Sequence, residues 1–550
     1  MTSEYENMSR EALIEVLKRR DAQSNFGLVW ERRDIAPDEA INKDFVGLEL
    51  DPALSCGEGP WENLIIEGDN YDALRSLVST HAGQAQLIYI DSPYNTGRKD
   101  FVYNDHYFDA TDRFRHSTWL EFMYQRLRLA KDLLAPDGVI FASIDDNELF
   151  HLGMLMNKVF GERAFVANCI WQKRYSRENR EAIGDAHEYL LVYAPNPNLF
   201  KLRRGKIELT AAQAKVYRNP DNPKETDSTK RWRGLPLTAQ GFRANQMYDI
   251  VADNGKVHRP PEGRCWSVIE PEFQKLRDAG KVYWGKTGHA QPSVIRFLSE
   301  VEGLTPWTWW PHEEVGHTDE ARKEIQDIFG TQTAFDTPKP VRLLERVLQI
   351  GAPEKNALVV DFFAGAATTG HALLKMNQKD GGTRRFILVS NREATDTNKD
   401  KNLCRDVCAV RVRRVIEGYT SRKTGPVEGI PGSFAYLRAA HVPLHRLEEH
   451  LSDTMVWSFI QMRHHHPLTP VRPTISLSVL GDQAVAYLDN TSDSAISALA
   501  TALTQYPALL VYTWTPAALY PHMNEDNVRA VPASLVRTFR FGQLPPQDQA

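Results

Sequence analysis

Leu87-Ile88-Tyr89-Ile90 is an apolar run that stops at Asp91-Ser92-Pro93-Tyr94-Asn95-Thr96-Gly97. A short run rich in Ile and Tyr and bounded by turn formers reads as a buried strand, with a polar tetrapeptide at its C-terminal end. A second run, Ala357-Leu358-Val359-Val360-Asp361, passes into Phe362-Phe363-Ala364-Gly365-Ala366-Ala367-Thr368-Thr369-Gly370: strand, small-residue loop, helix. Strands of this kind alternating with helices define an α/β fold, whose ligands gather at the carboxyl ends of the strands. Asp91 at such an end can accept a hydrogen bond from an amino group, the Ser92 carbonyl can accept another, and the Tyr94 ring offers a face to a planar base. A strand-end turn held by Asp and Pro is the plainer alternative.

The intervening chain follows the same rhythm. Residues 1–60 hold an expected helix over 10–20 and a polar, Pro-containing arm. Residues 63–70 form a strand ending in Gly68-Asp69, where Asp69 either accepts from a nucleotide or caps the following helix. A long helix over 118–134 stops at Pro136-Asp137-Gly138, and Val139–Ile144 is the next buried strand. Asp145 and Asp146 begin a helix, where acidic residues are favourable without an ion, so no metal is expected. Strands over 165–171 and 188–193 flank the cations Lys173, Arg174, Arg177 and Arg180. The pattern then fades: residues 201–260 carry 13 Lys/Arg against 6 Asp/Glu with Trp232, Phe242 and Tyr248 interleaved. That composition suits phosphate and base contacts, or a solvated basic surface.

The α/β pattern resumes at Thr337-Pro338-Lys339-Pro340. The loop after Asp361 has the small side chains that admit a nucleotide to a helix N-terminus. The next strand, Arg385–Ser390, places Asn391 and Glu393 where a ribose would lie. Beyond 425 a small α+β domain is expected, with His464-His465-His466 on a solvated loop. Five scattered cysteines without paired C-x2-C spacing argue against a disulfide framework or a zinc site. The formal charge of −5 directs attention to local basic patches. The lack of a leader pattern or an apolar run of about 18 residues predicts a cytoplasmic protein with no membrane partner.

Asp91-Ser92-Pro93-Tyr94 resembles the D-P-P-Y element of amino-group DNA methyltransferases, and Asp361 to Gly370 resembles their D-x-F-x-G-x-G-T-T cofactor element. The order of the two matches the circularly permuted beta class. Over about 26–408 the chain is most similar to Mod subunits of type III restriction-modification systems. The resemblance implies a Rossmann-like S-adenosylmethionine-dependent methyltransferase fold with an inserted target recognition domain and a small α+β C-terminal domain. The implied division is 1–60 N-terminal helix and arm, 61–199 first catalytic half, 200–330 target recognition, 331–424 second half with the cofactor loop, and 425–550 accessory. The implied activity is methylation of adenine N6 in double-stranded DNA, with S-adenosylmethionine as cofactor. A separate restriction or defence subunit and a homodimer are the implied partners. Cytosine-N4 methylation, or a non-catalytic DNA-binding specificity subunit, are the alternatives.

The implied catalytic residues are Asp91, Ser92, Pro93 and Tyr94. The cofactor would meet Asp69, Asn95, Thr96, Lys339, Asp361, Phe362, Phe363, Ala364, Gly365, Thr368, Thr369, Asn391 and Glu393. DNA would meet Lys173, Arg174, Arg231, Arg233, Arg264 and Trp266. Ser92 stands where the family has its first proline, and Ala367 where it has a second glycine.

Overall fold

The computed structural model divides into two compact units, residues 1–44 and 45–550. Before Asp44 only Ser9, Arg10 and Ile14 are described, so most of the helix expected over 10–20 lies outside the described residues. From Asp44 to Gln543 the structure describes all residues except 104–105, 110–114, 178–181, 220, 221, 223, 331–334, 336 and 395–398. Arg180 falls in one of these gaps.

From the unit boundary onward the chain forms β1 (Asp44–Leu50), β2 (Leu64–Glu67), helix α1 (Asn70–His81) and β3 (Ala85–Asp91). Helix α2 (Arg115–Leu133), β4 (Leu134–Ile144), α3 (Leu149–Phe160), β5 (Phe165–Gln172), β6 (His187–Tyr193) and α4 (Pro197–Arg203) follow. A region of short elements comes next: β7 (Trp232–Pro236), β8 (Thr238–Gln240), β9 (Arg264–Trp266), α5 (Glu270–Asp278), β10 (Val282–Tyr283), β11 (Ser293–Phe297), β12 (Trp309–Trp310) and α6 (Thr318–Phe329). The α/β pattern returns in α7 (Val341–Gly351), β13 (Leu358–Asp361), α8 (Thr368–Asp380), β14 (Arg385–Ser390), α9 (Val410–Glu417) and β15 (Ala435–Pro443). Helix α10 (Asp453–Arg463), β16 (Ser476–Leu480), β17 (Gln483–Leu488), α11 (Asp493–Gln505), β18 (Leu510–Thr513), β19 (Val528–Ala530) and α12 (Ala533–Gln543) complete it.

Ten strands form the central sheet, in the order β1-β15-β2-β14-β13-β3-β4-β6-β5-β12. From β15 to β4 neighbouring strands run parallel, and β6 is antiparallel to both β4 and β5. The strands of this centre read as continuous apolar runs because helices cover both faces. Leu87, Ile88, Val139, Ile140, Val359, Val360, Ile387 and Leu388 are all nearly solvent-free. Val359 pairs with Leu87 and Val360 with Ile88, so the ends of β13 and β3 open at one edge. The chain leaves β13 through α8 toward β14 and leaves β3 through α2 toward β4, in opposite directions along the sheet. That divergence makes the crevice where doubly wound sheets hold ligands. The crevice belongs to an α/β fold assembled from two separated stretches of sequence.

Outside the main sheet, β10-β11-β7 form a three-stranded sheet and β8-β9 a pair. Around them Leu237, Ile250, Trp266 and Phe273 make a small core of their own. β16-β17-β18-β19 make a four-stranded sheet near the C-terminus. Among the described residues no helix is long and apolar enough to cross a membrane.

Two expectations need correction. Helix α2 ends at Leu133 and strand β4 starts at Leu134, so Pro136-Asp137-Gly138 lies inside the strand. The ladder with β3 shifts register between Ala85 and Leu87, and that irregularity takes up the proline and glycine. His464-His465-His466 is solvated only at His465: His466 is buried with Nδ1 2.9 Å from Ser478 Oγ, and His464 Nε2 lies 2.9 Å from the Tyr512 hydroxyl.

Candidate active site

Asp91 is the last residue of β3 and points its carboxylate into a cluster assembled from three other parts of the chain. Lys339, from the Pro-Lys-Pro turn before α7, donates to Oδ1 at 2.8 Å and Oδ2 at 2.9 Å. The Tyr94 hydroxyl lies 3.1 Å from Asp91 Oδ1 and 2.9 Å from Glu188 Oε2. Glu188, in β6, is also 3.5 Å from Lys339 Nζ and 3.4 Å from Lys173 Nζ. Burial pushes the Asp91 carboxyl up, against the lowering effect of Lys339 and the Tyr94 hydroxyl. Burial would lower Lys339, but Asp91 and Glu188 outweigh it and leave the amine raised and charged. Lys339 takes one acceptor site on each Asp91 oxygen and Tyr94 adjoins Oδ1, so of about four such sites one remains open on Oδ2. Lys339 also lies over one face of the Tyr94 ring, 4.9 Å from its centroid.

The turn after Asp91 is held from behind. Ser92 is buried and its hydroxyl donates to the Ser143 carbonyl of β4 at 3.0 Å. The indole of Trp119 donates to the Pro93 carbonyl at 2.8 Å. Asn95 takes a left-handed conformation, φ 54°, which Asn tolerates better than most residues. Its amide donates to Glu148 Oε1, while its buried Oδ1 has no donor among the described residues.

His116, Glu148 and His151 place potential metal-ligating atoms within 4.8 Å of one another. Arg115 Nε donates to His116 Nε2 at 3.3 Å, which puts the ring proton on Nδ1, facing Glu148 Oε1 at 2.6 Å. Glu148 Oε1 meets both His116 and the Asn95 amide, so the cluster also braces Asn95.

The second loop begins at Asp361, whose carboxylate accepts from the Thr369 hydroxyl and the Phe363 N–H. This ties strand, loop and helix together, and burial pushes the Asp361 carboxyl up to about 7. Ala367, φ 58°, begins α8 in the left-handed region. Buried Arg411 donates to the Ala366 carbonyl at 3.1 Å and to Thr368 Oγ1 at 2.7 Å, clamping the loop from α9. Burial lowers this guanidinium to about 10. Asn70 Nδ2 donates to the Phe362 carbonyl at 2.9 Å and joins the loop to α1.

Several expected cofactor residues are committed elsewhere. Asp69 caps α1 by accepting from the Tyr71 N–H at 2.7 Å, and Arg126 grips both its oxygens at 2.9 and 3.0 Å. The helix-capping reading therefore holds. Phe362 is core, Asp361 braces its own loop, and Lys339 serves Asp91. Phe363, Ala364, Gly365, Thr368 and Thr369 stay at the loop beside β3. Asn391 and Glu393 are exposed past the end of β14, Glu393 paired with Lys401 at 2.8 Å.

The expected DNA contacts separate in the same way. Trp266 is fully buried, its indole donating to the Tyr248 carbonyl at 2.7 Å. Arg231 donates to the carbonyls of Tyr217 and Ala214 at 3.0 and 2.6 Å, and Arg264 to the hydroxyl and carbonyl of Thr238 at 2.9 and 3.0 Å. Lys173 is buried against Asp185 and Glu188. Trp266, Arg231, Arg264 and Lys173 thus hold the protein's own structure. Arg174 and Arg233 are exposed. Arg233 lies over the Tyr217 ring and pairs across the ladder with exposed Arg296, which the sequence reading did not single out. Glu188, Arg126 and Arg411 were also missed, since each acts on a partner far away in sequence.

An Asp-x-Pro-Tyr strand end beside a small-residue loop, at the switch point of a parallel sheet, defines the class of amino-group methyltransferases. The family model described as DNA methylase matches residues 85–395, and the chain belongs to that family. The type III restriction-modification enzyme StyLTI Mod subunit of Salmonella typhimurium is 37% identical over 362 residues, 61% of this chain and 53% of that protein. The EcoPI Mod subunit of Escherichia phage P1 is 32% identical over 400 residues, covering 62% and 59%. The type II methyltransferase M.KpnI of Klebsiella pneumoniae is 30% identical over 350 residues, covering 60% and 81%. The chain spans between about half and three fifths of the length of these Mod relatives.

Proposed function

We propose that the protein transfers a methyl group from S-adenosylmethionine to the N6 amine of adenine in double-stranded DNA at a specific sequence, as the modification component of a restriction-modification or related defence system. The observation that carries this reading is the juxtaposition at one sheet edge of Asp91, with one open acceptor on Oδ2, and the loop Phe363–Thr369. A base inside the duplex cannot reach the cofactor, so the adenine is flipped out and stacks on the Tyr94 face opposite Lys339. One N6–H meets Asp91 Oδ2 and the other the Ser92 carbonyl, which favours a pyramidal nitrogen whose lone pair faces the methyl group. The cofactor supplies that methyl on a sulfonium. Phe363, Ala364, Gly365, Thr368 and the unsatisfied Oδ1 of Asn95 are the groups that fit it, and the exposed Asn391 and Glu393 suit its ribose.

The region 200–330 serves target recognition. A restriction subunit acts as a separate partner, the working form is a homodimer, and the protein operates in the cytoplasm. Nucleoside mass spectrometry of DNA incubated with the protein and labelled cofactor tests the reading: N6-methyladenine is expected, and N4-methylcytosine or unmodified DNA overturns it. Asp91→Ala should abolish transfer while leaving cofactor binding within about twofold, checked by calorimetry; transfer near the wild-type rate would remove Asp91 from the mechanism.

A further inference from the structure

The Tyr94 hydroxyl has one proton, yet it lies within hydrogen-bonding distance of two carboxylates, Asp91 Oδ1 at 3.1 Å and Glu188 Oε2 at 2.9 Å. A phenol donates once and accepts with its lone pairs. Once Asp91 carries a proton, the phenol proton turns to Glu188 and a lone pair of the phenol oxygen accepts from Asp91. This is the arrangement of a proton wire with Asp91 at the substrate end. At the other end Glu188 Oε1 faces Lys173 Nζ at 3.4 Å, and Lys173 pairs at 2.7 Å with Asp185, whose side chain is 44% exposed. The proton path therefore runs from the buried strand tip to Glu188, and the Lys173 ion pair joins Glu188 to the surface at Asp185.

We propose that Glu188 receives the proton released by the methylated amine, through Tyr94. The inference rests on the methyl-transfer reading above. In the transfer the nitrogen lone pair forms the N–C bond, the C–S bond breaks and its electron pair returns to sulfur, and the amine becomes cationic. Its surplus proton passes to Asp91 Oδ2, the carboxyl turns about its Cβ–Cγ bond to bring that proton to the Tyr94 oxygen, and the phenol proton moves to Glu188. The amine is left neutral, the phenol is restored and Glu188 carries the proton until it leaves past Lys173 and Asp185. Glu188 does not touch the reacting atoms and is a positioning residue that acts through Tyr94. The titratable and charged groups facing it are Tyr89, Asp91 and Tyr94 from β3 and its tip, Lys173 from the end of β5, Lys339 before α7, Asp145 after β4, and Asp185. Its negative charge is one of the influences that raise the Asp91 carboxyl.

The test is single-turnover methyl transfer on one cognate duplex, across pH, for wild type, Glu188→Gln, Glu188→Asp and Tyr94→Phe. Glutamine still accepts from Tyr94 but takes no proton. Glu188→Gln should bind DNA and cofactor within about twofold of wild type and lose roughly tenfold to a hundredfold in the plateau rate, within the range of general acid–base effects. Its acid limb should move to lower pH, because Asp91 loses a like-charged neighbour. Glu188→Asp should recover part of the rate. Tyr94→Phe should lose a similar factor in plateau rate but move the limb to higher pH, because the hydroxyl it removes lowers the Asp91 carboxyl, and adding Glu188→Gln to it should cost little more in rate. An active wild type with an unchanged plateau and acid limb in Glu188→Gln overturns the relay alone. So does a loss confined to DNA or cofactor binding. A wild type that transfers no methyl to DNA overturns the parent reading and the relay together.

Discussion

Ser92 and Asp361 are both polar, both buried and both at strand ends, yet they do different work. The Ser92 hydroxyl is spent on the Ser143 carbonyl, which anchors the turn to β4 and leaves only the Ser92 carbonyl for a ligand. Ser92→Ala should therefore lower stability by about 0.5–1.5 kcal/mol, the usual net value of such a bond, while turnover at saturating substrate stays within about twofold. Urea melts and steady-state rates check this, and a turnover loss without a stability loss would put the hydroxyl in the chemistry. Asp361 titrates at about 7 in the folded protein because it is buried, against about 4 in an unfolded chain. The folded state thus holds this proton more tightly. The corresponding stability is complete below about pH 4 and is lost as pH rises through 7. Asp361→Asn keeps an acceptor for Thr369 or Phe363 and removes the cost of ionisation. Measured in urea at pH 5 and pH 8, its stability relative to wild type should improve toward pH 8; a difference independent of pH would contradict the assignment.

At the scale of elements, the start of α8 shows how the loop after β13 tolerates a departure from its family's glycine. Ala367 is left-handed and fully buried, a conformation that costs an L-residue roughly 1–2 kcal/mol. The Arg411 bonds to Ala366 and Thr368 on either side hold the turn in place. Ala367→Gly relieves the conformational cost but gives up a methyl and some chain entropy, so stability should change by no more than about 1 kcal/mol. Ala367→Val brings a β-branched side chain into the same backbone and should cost several times as much, with cofactor affinity falling in parallel. Equal melting temperatures for the two variants would show that the loop relaxes elsewhere. The loop's strand–loop–helix character was legible because apolar and small residues alternate over a dozen positions. Its clamp was not, because Arg411 follows Thr368 by 43 positions and nothing local marks it.

At the scale of the whole molecule, DNA needs a cationic surface on a chain whose net charge is −5. Composition alone nominated the region 201–260, but half of its named cations turn inward. Arg233 and Arg296 face each other across β7 and β11, and like charges directly opposite on a ladder are unfavourable unless an anion lies between them. Replacing both by Gln should weaken binding to every duplex and reduce the slope of log K against log salt by about 2, near 0.9 per phosphate contact. An unchanged slope would move the DNA track off this sheet.

The sequence by itself determined the parts whose cause is local. The Leu-Ile-Tyr-Ile run makes a strand and Asp-Ser-Pro-Tyr ends it; Asp361 to Gly370 makes a strand, small-residue loop and helix; Pro338 to Pro340 opens the return to the sheet. Each depends on hydrophobic period and turn chemistry over about ten residues. Only the tertiary structure decided which side chains meet. Lys339 reaches Asp91 across 248 positions, and Glu188 reaches Tyr94 across 94. Those meetings follow from the order β13-β3-β4-β6 in the sheet. The same is true of the inward turn of Trp266, Arg231 and Lys173. Whether an aromatic or a cation faces solvent or core is set by what packs against it, and a buried charge stays where an opposite charge or a carbonyl from a distant segment satisfies it.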